Sequence, residues 1–397
     1  MRKSNPNKSS IKSKVKCFLR KNLIQNLPKT NRVILIDSMN AETNAIAMAN
    51  HIAEHYNMPV SFVVKHSFKK LINPLLNDKV KLVTIGSLKF NLTYLTSKYI
   101  LSTHGFLKTP KSQIHVNLWH GVGHKKIKAA RGYGGVQADI TVATSELTQN
   151  MFSNFFEVPI DSVFISGYPR NDIMLKAKRE KKYIINQIDP DLNSYSKIIL
   201  WMPTYRRMPP GIDVEMGENG IKLDNIFNSE GFDVSTFNNI LKKHNAICIL
   251  KPHYYYDTLS KKNIDSLSNI LMINDQWILN KKITLYHLIG CTDMLITDFS
   301  SVMTDFSLLD KPIICFCTDL DKVKNNEELY FEDIENWLPS KLYQNQGDFF
   351  EFLNELLTTD HDPYVEKRVK MRNLYFKYRD DKSAERLANF IFSSKKN

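Results

Sequence analysis

The chain has 397 residues, of which 43% are hydrophobic and 24% charged, and its formal net charge is +13 at pH 7. These values exclude a wholly disordered or fibrous protein, and the length predicts two domains because one core rarely grows beyond about 250–300 residues. The sequence contains no run of eighteen apolar residues, so no membrane-spanning helix is expected. The five cysteines form no pair of CxxC motifs, which excludes a zinc ribbon and favours a reducing, cytoplasmic location.

Most of the net positive charge lies in the first 32 residues, which contain ten Lys and Arg and no acidic residue. Apolar residues recur beside these cations at roughly helical spacing, at Val15, Phe18, Leu19, Leu23 and Ile24. One interpretation is a basic amphipathic helix on an anionic membrane surface, where each cation contributes about 1 kcal/mol. The other is a solvated leader with a short helix docked on the core. Nucleic acid is not expected as a partner, because the remaining chain carries little net charge and no recognition motif.

The rest of the chain predicts strands that alternate with helices. A helix is expected over residues 41–56, a polar stretch over 176–196 and a long loop over 203–225. Short apolar runs predict strands at residues 32–37, 60–64, 81–85, 98–101, 114–118, 139–143, 163–165, 198–202, 246–250, 294–297 and 312–316. Such runs indicate parallel sheets covered on both faces, and two series of them predict two doubly wound α/β domains. Ligands of these sheets bind beyond the carboxyl ends of the strands, where five polar clusters occur.

The first cluster, WHGVGHKK, follows the strand predicted at 114–118. His120 can act as a general base or stabilise an anion near neutral pH. Gly121 allows the backbone to approach a ligand closely, and Lys125 adds positive charge. The alternative is a glycine-containing turn with a packed histidine.

The second and third clusters contain arginines. GYPRND follows the strand at 163–165 and includes Arg170, for which the alternative is a structural ion pair with Asp172 that closes the first domain. PTYRR follows the strand at 198–202, and Arg206 in it suits phosphate because a guanidinium donates forked hydrogen bonds. The alternative for PTYRR is a solvated basic turn.

The last two clusters end strands of the second domain. In LKPH, proline stops the strand and places Lys251 and His253 at the edge of the sheet. In TDFSSVMTDF, a strand delivers Asp298, and Ser300 and Ser301 begin a helix whose backbone N–H groups suit an anion. The alternative is a serine that only caps the helix.

Together, WHG, GYPRND, PTYRR, KPH and TDFSSVMTDF, in this order, resemble the CDP-glycerol glycerophosphotransferase family of teichoic-acid primases and polymerases. The resemblance covers roughly residues 33–392. It implies a GT-B-like fold in which two Rossmann-like domains face a cleft and a C-terminal helix crosses back. The expected divisions are a basic leader at 1–30, an acceptor-side domain at 31–185, a CDP-donor domain at 186–375 and the crossover helix at 376–397.

The resemblance also implies a reaction, in which glycerol phosphate passes from CDP-glycerol to an undecaprenyl-linked acceptor and CMP is released. His120 and His253 are the implied catalytic pair, with His120 as general base and His253 at the phosphate or leaving group, although these roles are exchangeable. Asp298 is expected to orient its loop. The side chains implied to bind substrate are Gly121, Lys125, Arg170, Arg206, Lys251, Asp298, Ser300 and Ser301.

No cofactor or metal is expected, and the DxD-like Asp319-Leu320-Asp321 is interpreted as a surface loop. The expected location is cytoplasmic, peripheral on the inner face of the cell membrane. The chain lacks the large N-terminal region of many polymerases, which favours a primase or short-chain enzyme. Alternatives are a CDP-ribitol-using transferase, capsule instead of teichoic-acid synthesis, a GT-B glycosyltransferase using a nucleotide sugar, and a catalytically inactive GT-B scaffold.

Overall fold

Two separate parallel β-sheets organise the chain in the computed structural model. The structure describes residues 27–37, 41–104, 112–122, 138–204, 227, 229, 231–252, 267–321, 331 and 333–393. Residues 1–26 of the predicted basic leader and most of the long loop predicted at 203–225 therefore lie outside the described residues. In the part of the chain that is described, no helix is long and apolar enough to cross a membrane.

The first sheet has seven strands in the order β3-β2-β1-β4-β5-β6-β7, all parallel. Its strands are β1 Thr30–Ile36, β2 Val60–Val64, β3 Val80–Thr84, β4 Ser97–Ser102, β5 Ile114–Asn117, β6 Ile140–Ala143 and β7 Val163–Ile165. The strand order reverses between β1 and β4, which is the position where doubly wound sheets open a crevice for a ligand.

The second sheet repeats this plan with six parallel strands in the order β10-β9-β8-β11-β12-β13. Its strands are β8 Lys197–Met202, β9 Ala246–Leu250, β10 Ile270–Met272, β11 Met294–Thr297, β12 Ile313–Phe316 and β13 Leu342–Tyr343. The reversal here lies between β8 and β11. The predicted fold class, with two doubly wound parallel sheets, is confirmed.

The helices that cover these sheets begin at residues suited to cap them. Ser145 and Thr148 form a capping box at the start of the helix Glu146–Phe156, and Asn345 caps the helix Gln346–Thr359. The described helices are α1 Thr43–His55, α2 Lys69–Ile72, α3 Leu88–Thr96, α4 Glu146–Phe156, α5 Pro169–Arg179, α6 Lys181–Ile188, α7 Val234–Lys243, α8 Asp275–Asn280, α9 Leu285–Cys291, α10 Val302–Phe306, α11 Gln346–Thr359, α12 Val365–Tyr375 and α13 Ser383–Ser393.

One apolar core runs from the first sheet into the second through helices α5 and α9. It includes Leu35 of β1 and Leu200 of β8, both fully buried. The two helices approach closely because α9 has Gly290 at the contact, where a Cβ atom would collide with the carbonyl oxygen of Met174. The two sheets are therefore joined by packed helices as well as by the chain between them.

The C-terminal helix α13 returns to the first sheet's side of the molecule. The phenol of Tyr56 donates a hydrogen bond to Asn389 at 2.7 Å, and the rings of Phe164 and Phe390 stack with centroids 3.8 Å apart. This is the crossing-back helix that the resemblance implied. The domain boundaries at residues 30, 185 and 375 stay predictions.

The sequence-based strands agree with the structure to within two residues at each end. Four of them, at 60–64, 163–165, 246–250 and 294–297, match fully. Two short strands, β10 and β13, were missed. β13 has only two residues, whereas β10 lies in the apolar run 270–273, which is no shorter than the strand predicted at 163–165. The polar stretch at 176–196 is largely helical, in the end of α5 and in α6, and α6 buries Ile184, Ile185 and Ile188.

Candidate active site

A cavity of about 260 Å³ lies between the two sheets, at the carboxyl ends of their strands. Its walls come from both halves of the chain, which is the arrangement expected for a ligand held between two doubly wound domains. The lining residues are Ala41, Glu42, Thr43, His120, Arg170, Met202, Asp275, Ile278, Leu279, Thr284, Leu285, Tyr286, Ser300, Ser301 and Val302. Four of the predicted site residues are among them.

His120 lies in the turn that follows β5. Trp119 adopts a left-handed backbone conformation (φ 53°) and packs its ring against Phe156, which turns the chain toward the cavity. Nδ1 of His120 lies 3.2 Å from the carbonyl oxygen of Thr103. A carbonyl oxygen only accepts hydrogen bonds, so Nδ1 carries the proton and Nε2 keeps its lone pair.

The imidazole of His120 is held in a neutral state. Its ring stacks on that of His104, with centroids 4.1 Å apart and planes 7° from parallel. Burial, together with the His104 ring and the Arg170 guanidinium, lowers the pKa of His120 to about 3, against the opposing effect of its bond to Thr103. His104 was missed among the predicted site residues, because no motif contains it. Its position was a usable signal, since it follows β4 by two residues at the edge of the sheet where ligands bind.

Gly121 brings the two halves of the site into contact. Its φ is +157°, and a Cβ atom at this position would lie 2.9 Å from Oγ of Ser301 and 3.5 Å from Nη2 of Arg170. Any larger residue would therefore displace the Ser301 hydroxyl. The predicted close backbone approach at Gly121 is made here to the opposite domain.

Arg170 is buried at the centre of this interface and is 3% exposed. Its Nη2 donates to Asp305 at 2.5 Å, and its Nη1 donates to the carbonyl oxygen of His120 at 2.5 Å and lies 3.4 Å from Glu42. Burial opposes its charge, but Asp305, Tyr286 and Glu42 outweigh this effect and raise the pKa of Arg170 further above its ordinary value. Arg170 lines the cavity and at the same time links the domains.

The alternative interpretation of Arg170 and Asp172 as a structural ion pair is wrong. Arg170 pairs with Asp305, whereas both Asp172 carboxylate oxygens accept backbone N–H groups at the start of α13, from Ser383 at 2.9 Å and Ala384 at 2.8 Å. The two side chains point to different elements because residues two positions apart on α5 lie about 200° apart around the helix.

Asp298 organises a loop and is not among the cavity-lining residues. Its carboxylate accepts hydrogen bonds from the backbone N–H and hydroxyl of Thr204 and from the backbone N–H of Phe299. It therefore ties the end of β8 to the segment after β11, which presents Ser300 and Ser301. This geometry fits the loop-orienting role expected for Asp298.

Two further predictions concern the helix start and the end of β9. The side chain of Ser301, the N-cap of α10, makes no capping hydrogen bond, whereas Oγ of Ser300 accepts a long one, at 3.5 Å, from the backbone N–H of Val302. The interpretation as a plain capping serine therefore does not hold for Ser301 but stays open for Ser300. Lys251, 8% exposed, forms an ion pair with Asp275 at 2.9 Å. Asp275 lines the cavity and Lys251 lies behind it.

Three predicted site residues, Lys125, Arg206 and His253, lie outside the described residues. The convergence of His120 and His253 on one substrate therefore stays a prediction. Within the described ranges, no group of three or more His, Cys, Asp or Glu side chains is placed to hold a metal ion.

Glu42 is a cavity residue that the sequence analysis missed. It precedes α1 and caps it, and nothing in the pattern of that segment distinguishes it from an ordinary helix start. Burial raises the pKa of Glu42 to about 7, although Arg170 and the backbone N–H groups of the helix act against this shift. Only its position in the chain could have identified Glu42 as a site residue, because it follows β1, a strand at the reversal point of the sheet.

A family model for CDP-glycerol:poly(glycerophosphate) glycerophosphotransferases matches residues 18–393 of this chain. The chain belongs to this family. The resemblance seen in the sequence motifs is thereby confirmed, and so is the predicted enzyme class of a CDP-glycerol glycerophosphotransferase.

Members of the family with known names support this assignment. The chain is 26% identical to the teichoic acid glycerol-phosphate transferase of Staphylococcus aureus, over 93% of this chain and 95% of that protein. It is 25% identical to the teichoic acid ribitol-phosphate polymerase TarK of the same organism, over 77% of this chain and 58% of that protein. The structure of the wall teichoic acid polymerase TagF superposes with a TM-score of 0.73 at 18% identity, over 94% of this chain and 92% of that structure.

Proposed function

We propose that this protein transfers glycerol phosphate from CDP-glycerol to a lipid-linked acceptor in the synthesis of teichoic acid or a related polymer, and releases CMP. The observation that carries the proposal is the cavity between the sheets, where the His120–Gly121 turn of one domain meets Ser300 and Ser301 of the other. A donor held by one domain and an acceptor held by the other would meet at this contact.

The reaction forms a bond between an acceptor oxygen and the phosphorus that carries glycerol, and it breaks the phosphorus–oxygen bond to CMP. Positioning and neutralisation of negative charge supply most of the catalysis in such transfers. The Ser300 and Ser301 hydroxyls can donate to phosphate oxygens, and Nε2 of His120 can accept from a substrate hydroxyl. Lys125, Arg206 and His253 are expected to add charge and a second imidazole.

Glycerol is supported as the polyol by the family description, which names CDP-glycerol, and by the similarity to the glycerol-phosphate transferase over 95% of that protein. A histidine variant of TagF has also been soaked with CDPG, which supports a CDP-activated donor for this fold.

The test is release of CMP by the purified protein, supplied with CDP-glycerol, CDP-ribitol or a UDP-sugar and a lipid-linked acceptor. We expect CMP from CDP-glycerol, and a loss of roughly 10²–10⁴-fold in the His120→Ala and His253→Ala variants. The exposed His66 provides a control, since His66→Ala should retain full turnover. Release of UDP, or CMP from CDP-ribitol alone, would contradict the proposal, and the length of the product distinguishes a primase from a polymerase.

We further propose that the protein binds peripherally to the inner face of the membrane. Besides the basic leader, an exposed apolar stripe supports this location: Ile85, Leu88 and Leu92 are 49%, 75% and 53% exposed. Leu88 and Leu92 lie one turn apart on α3 and so share a face. These three are half of the six large exposed hydrophobic side chains among the described residues.

The charge around this stripe suits anionic lipids. No acidic residue occurs between Asp78 and Asp139, whereas ten Lys and Arg do. Lys81 and Lys89 of this stretch are exposed and lie within four residues of Ile85 in the sequence. Apolar side chains that enter the acyl boundary and cations that contact headgroups are the two components of peripheral membrane binding.

Vesicle sedimentation tests this surface. The Leu88→Ser/Leu92→Ser double variant should bind phosphatidylglycerol vesicles at least roughly 10-fold more weakly, because each leucine contributes about 1.5–3 kcal/mol when buried. The matched control is Ile160→Ser/Tyr183→Ser, which changes two exposed residues elsewhere. Equal binding by both double variants would contradict a role for the α3 stripe, and deletion of residues 1–28 measures the leader separately.

A further inference from the structure

Glu42 is a buried carboxyl group in the cavity wall to which the proposed reaction has so far assigned no role. Its Oε2 accepts hydrogen bonds from the first turn of α1, at 2.7 Å from the Asn44 nitrogen and 3.4 Å from that of Ala45. Among the described residues, the one contact of Oε1 is Nη1 of Arg170 at 3.4 Å, which is longer than a strong charge-assisted bond. Oε1 therefore retains capacity to accept a hydrogen bond from a molecule in the cavity.

The backbone that presents Glu42 is strained and tightly held. Ala41 has φ of 94°, a conformation that a residue with a Cβ atom rarely adopts. One carboxylate oxygen of Asp37 accepts the backbone N–H groups of both Ala41 and Glu42 and so maintains this turn. Strain of this kind persists where surrounding contacts enforce it, and it is concentrated at functional sites.

Glu42 is better suited to proton transfer at neutral pH than the titratable and charged groups that face it. They come from its own loop, from α5 and the residue before it, from α9, from α10 and from the turn after β5: Asp37, Tyr168, Arg170, Tyr286, Asp305 and His120. Burial raises the pKa of the Tyr168 and Tyr286 hydroxyls well above their ordinary value and lowers that of His120 to about 3. A general base works best when its proton affinity matches the operating pH, and the Glu42 pKa of about 7 does so.

We infer that the ionised carboxylate of Glu42 accepts the proton of the acceptor hydroxyl group as that hydroxyl attacks the donor phosphorus. The acceptor oxygen gains its bond to phosphorus and loses its proton to Oε1, and CMP leaves with the electron pair of the broken phosphorus–oxygen bond. The protonated Glu42 then returns its proton to solvent. This inference rests on the proposed function and assigns the proton transfer to a residue other than the two predicted histidines.

The test is the pH dependence of CMP release, measured as kcat/KM between pH 5.5 and 9 with CDP-glycerol and a lipid-linked acceptor. In the wild type, activity should rise with pH through about 7, since the ionised form is required. Glu42→Gln should lose roughly 10²-fold or more and should lack this rise. Glutamine keeps an oxygen that can cap α1, so a role confined to capping would leave both rate and profile unchanged.

Two further variants separate proton transfer from folding. Glu42→Ser removes the carboxyl group but supplies a favoured N-cap residue, and it should be as inactive as Glu42→Gln. Glu54→Gln, an exposed change on the same helix, should behave as the wild type. If Glu42→Gln or Glu42→Ser released CMP at the wild-type rate and with the wild-type pH profile, only the role of Glu42 would be overturned. Failure of the wild type to release CMP from either CDP-polyol would overturn the proposed function and, with it, this inference.

Discussion

The guanidinium of Arg170 and the carboxylate of Asp305 form a buried ion pair with a nitrogen–oxygen distance of 2.5 Å, and they are 135 residues apart in the chain. Asp305 also accepts hydrogen bonds from the Tyr286 hydroxyl at 2.5 Å and from the Asn171 amide at 3.2 Å. The pair spans the boundary between the halves of the chain, and Arg170 forms part of the cavity wall. The relative placement of the two sheets, and hence the shape of the site, depends on it.

Removal of the Arg170 charge should destabilise the protein strongly. Arg170→Met leaves Asp305 buried without its counter-charge, which we expect to lower the free energy of unfolding by about 3–5 kcal/mol. Urea denaturation measures this change. The control is Arg179→Met on the same helix, where an exposed pair with Asp381 is broken and about 0–1 kcal/mol is expected. Similar values for the two variants would show that the buried pair contributes no more than a surface one.

A methyl group at Gly121 should impair turnover more than folding. Gly121→Ala places a Cβ atom 2.9 Å from Oγ of Ser301, so the hydroxyl must move, and a shift near 1 Å in a site reduces the rate roughly 10²-fold. The measurement is kcat/KM for CMP release. Gly86→Ala is the control, because Gly86 also has positive φ (+79°) but a Cβ atom there would meet no other atom within 4 Å. Equal activity of both variants would contradict the importance of the Gly121–Ser301 contact.

His104 should act as a positioning residue through its stacking on His120. His104→Ala removes the stacked ring and part of the burial, so we expect kcat to fall roughly 10-fold with little change in KM, and the pKa of His120 to rise from about 3 toward its ordinary value. Histidine NMR titration follows this pKa. His104→Phe keeps an aromatic ring and should restore most of kcat. Wild-type kcat in the alanine variant would exclude a positioning role.

Asp172 should make stability depend on pH at the junction with the C-terminal helix. Burial raises the pKa of Asp172 to about 6, although the Ser383 and Ala384 N–H groups act against this shift. The folded state therefore binds a proton more tightly than the unfolded chain, so this contribution to stability is full below about pH 4 and is lost as the pH rises through about 6. Relative to Asp172→Asn, the wild type should lose stability between pH 4 and 6, as urea denaturation can show.

The alanine variant provides the structural comparison. Asp172→Ala leaves two buried N–H groups of α13 unpaired, at an expected loss of about 1–3 kcal/mol, whereas asparagine retains one acceptor oxygen. A stability difference between wild type and Asp172→Asn that does not change with pH would contradict the shifted pKa.

The sequence by itself determined the fold class and much of the location of the site. Buried parallel strands must be apolar on both faces, so runs such as residues 246–250 and 294–297 are recognisable without the structure. Because ligands of parallel sheets bind beyond the carboxyl ends of the strands, the residues after each run, including His120, Arg170 and Ser301, were the right ones to examine.

Only the tertiary structure decided which of those residues meet and in what state of charge. Arg170 pairs with Asp305 and not with its neighbour Asp172, and Glu42 is a cavity residue although no motif marks it. Ion pairing and desolvation depend on distances between groups that are far apart in the chain. The local amino-acid sequence does not determine those distances. The proton affinity of Glu42 and the neutral state of His120 are consequences of burial, which exists only once both sheets are packed together.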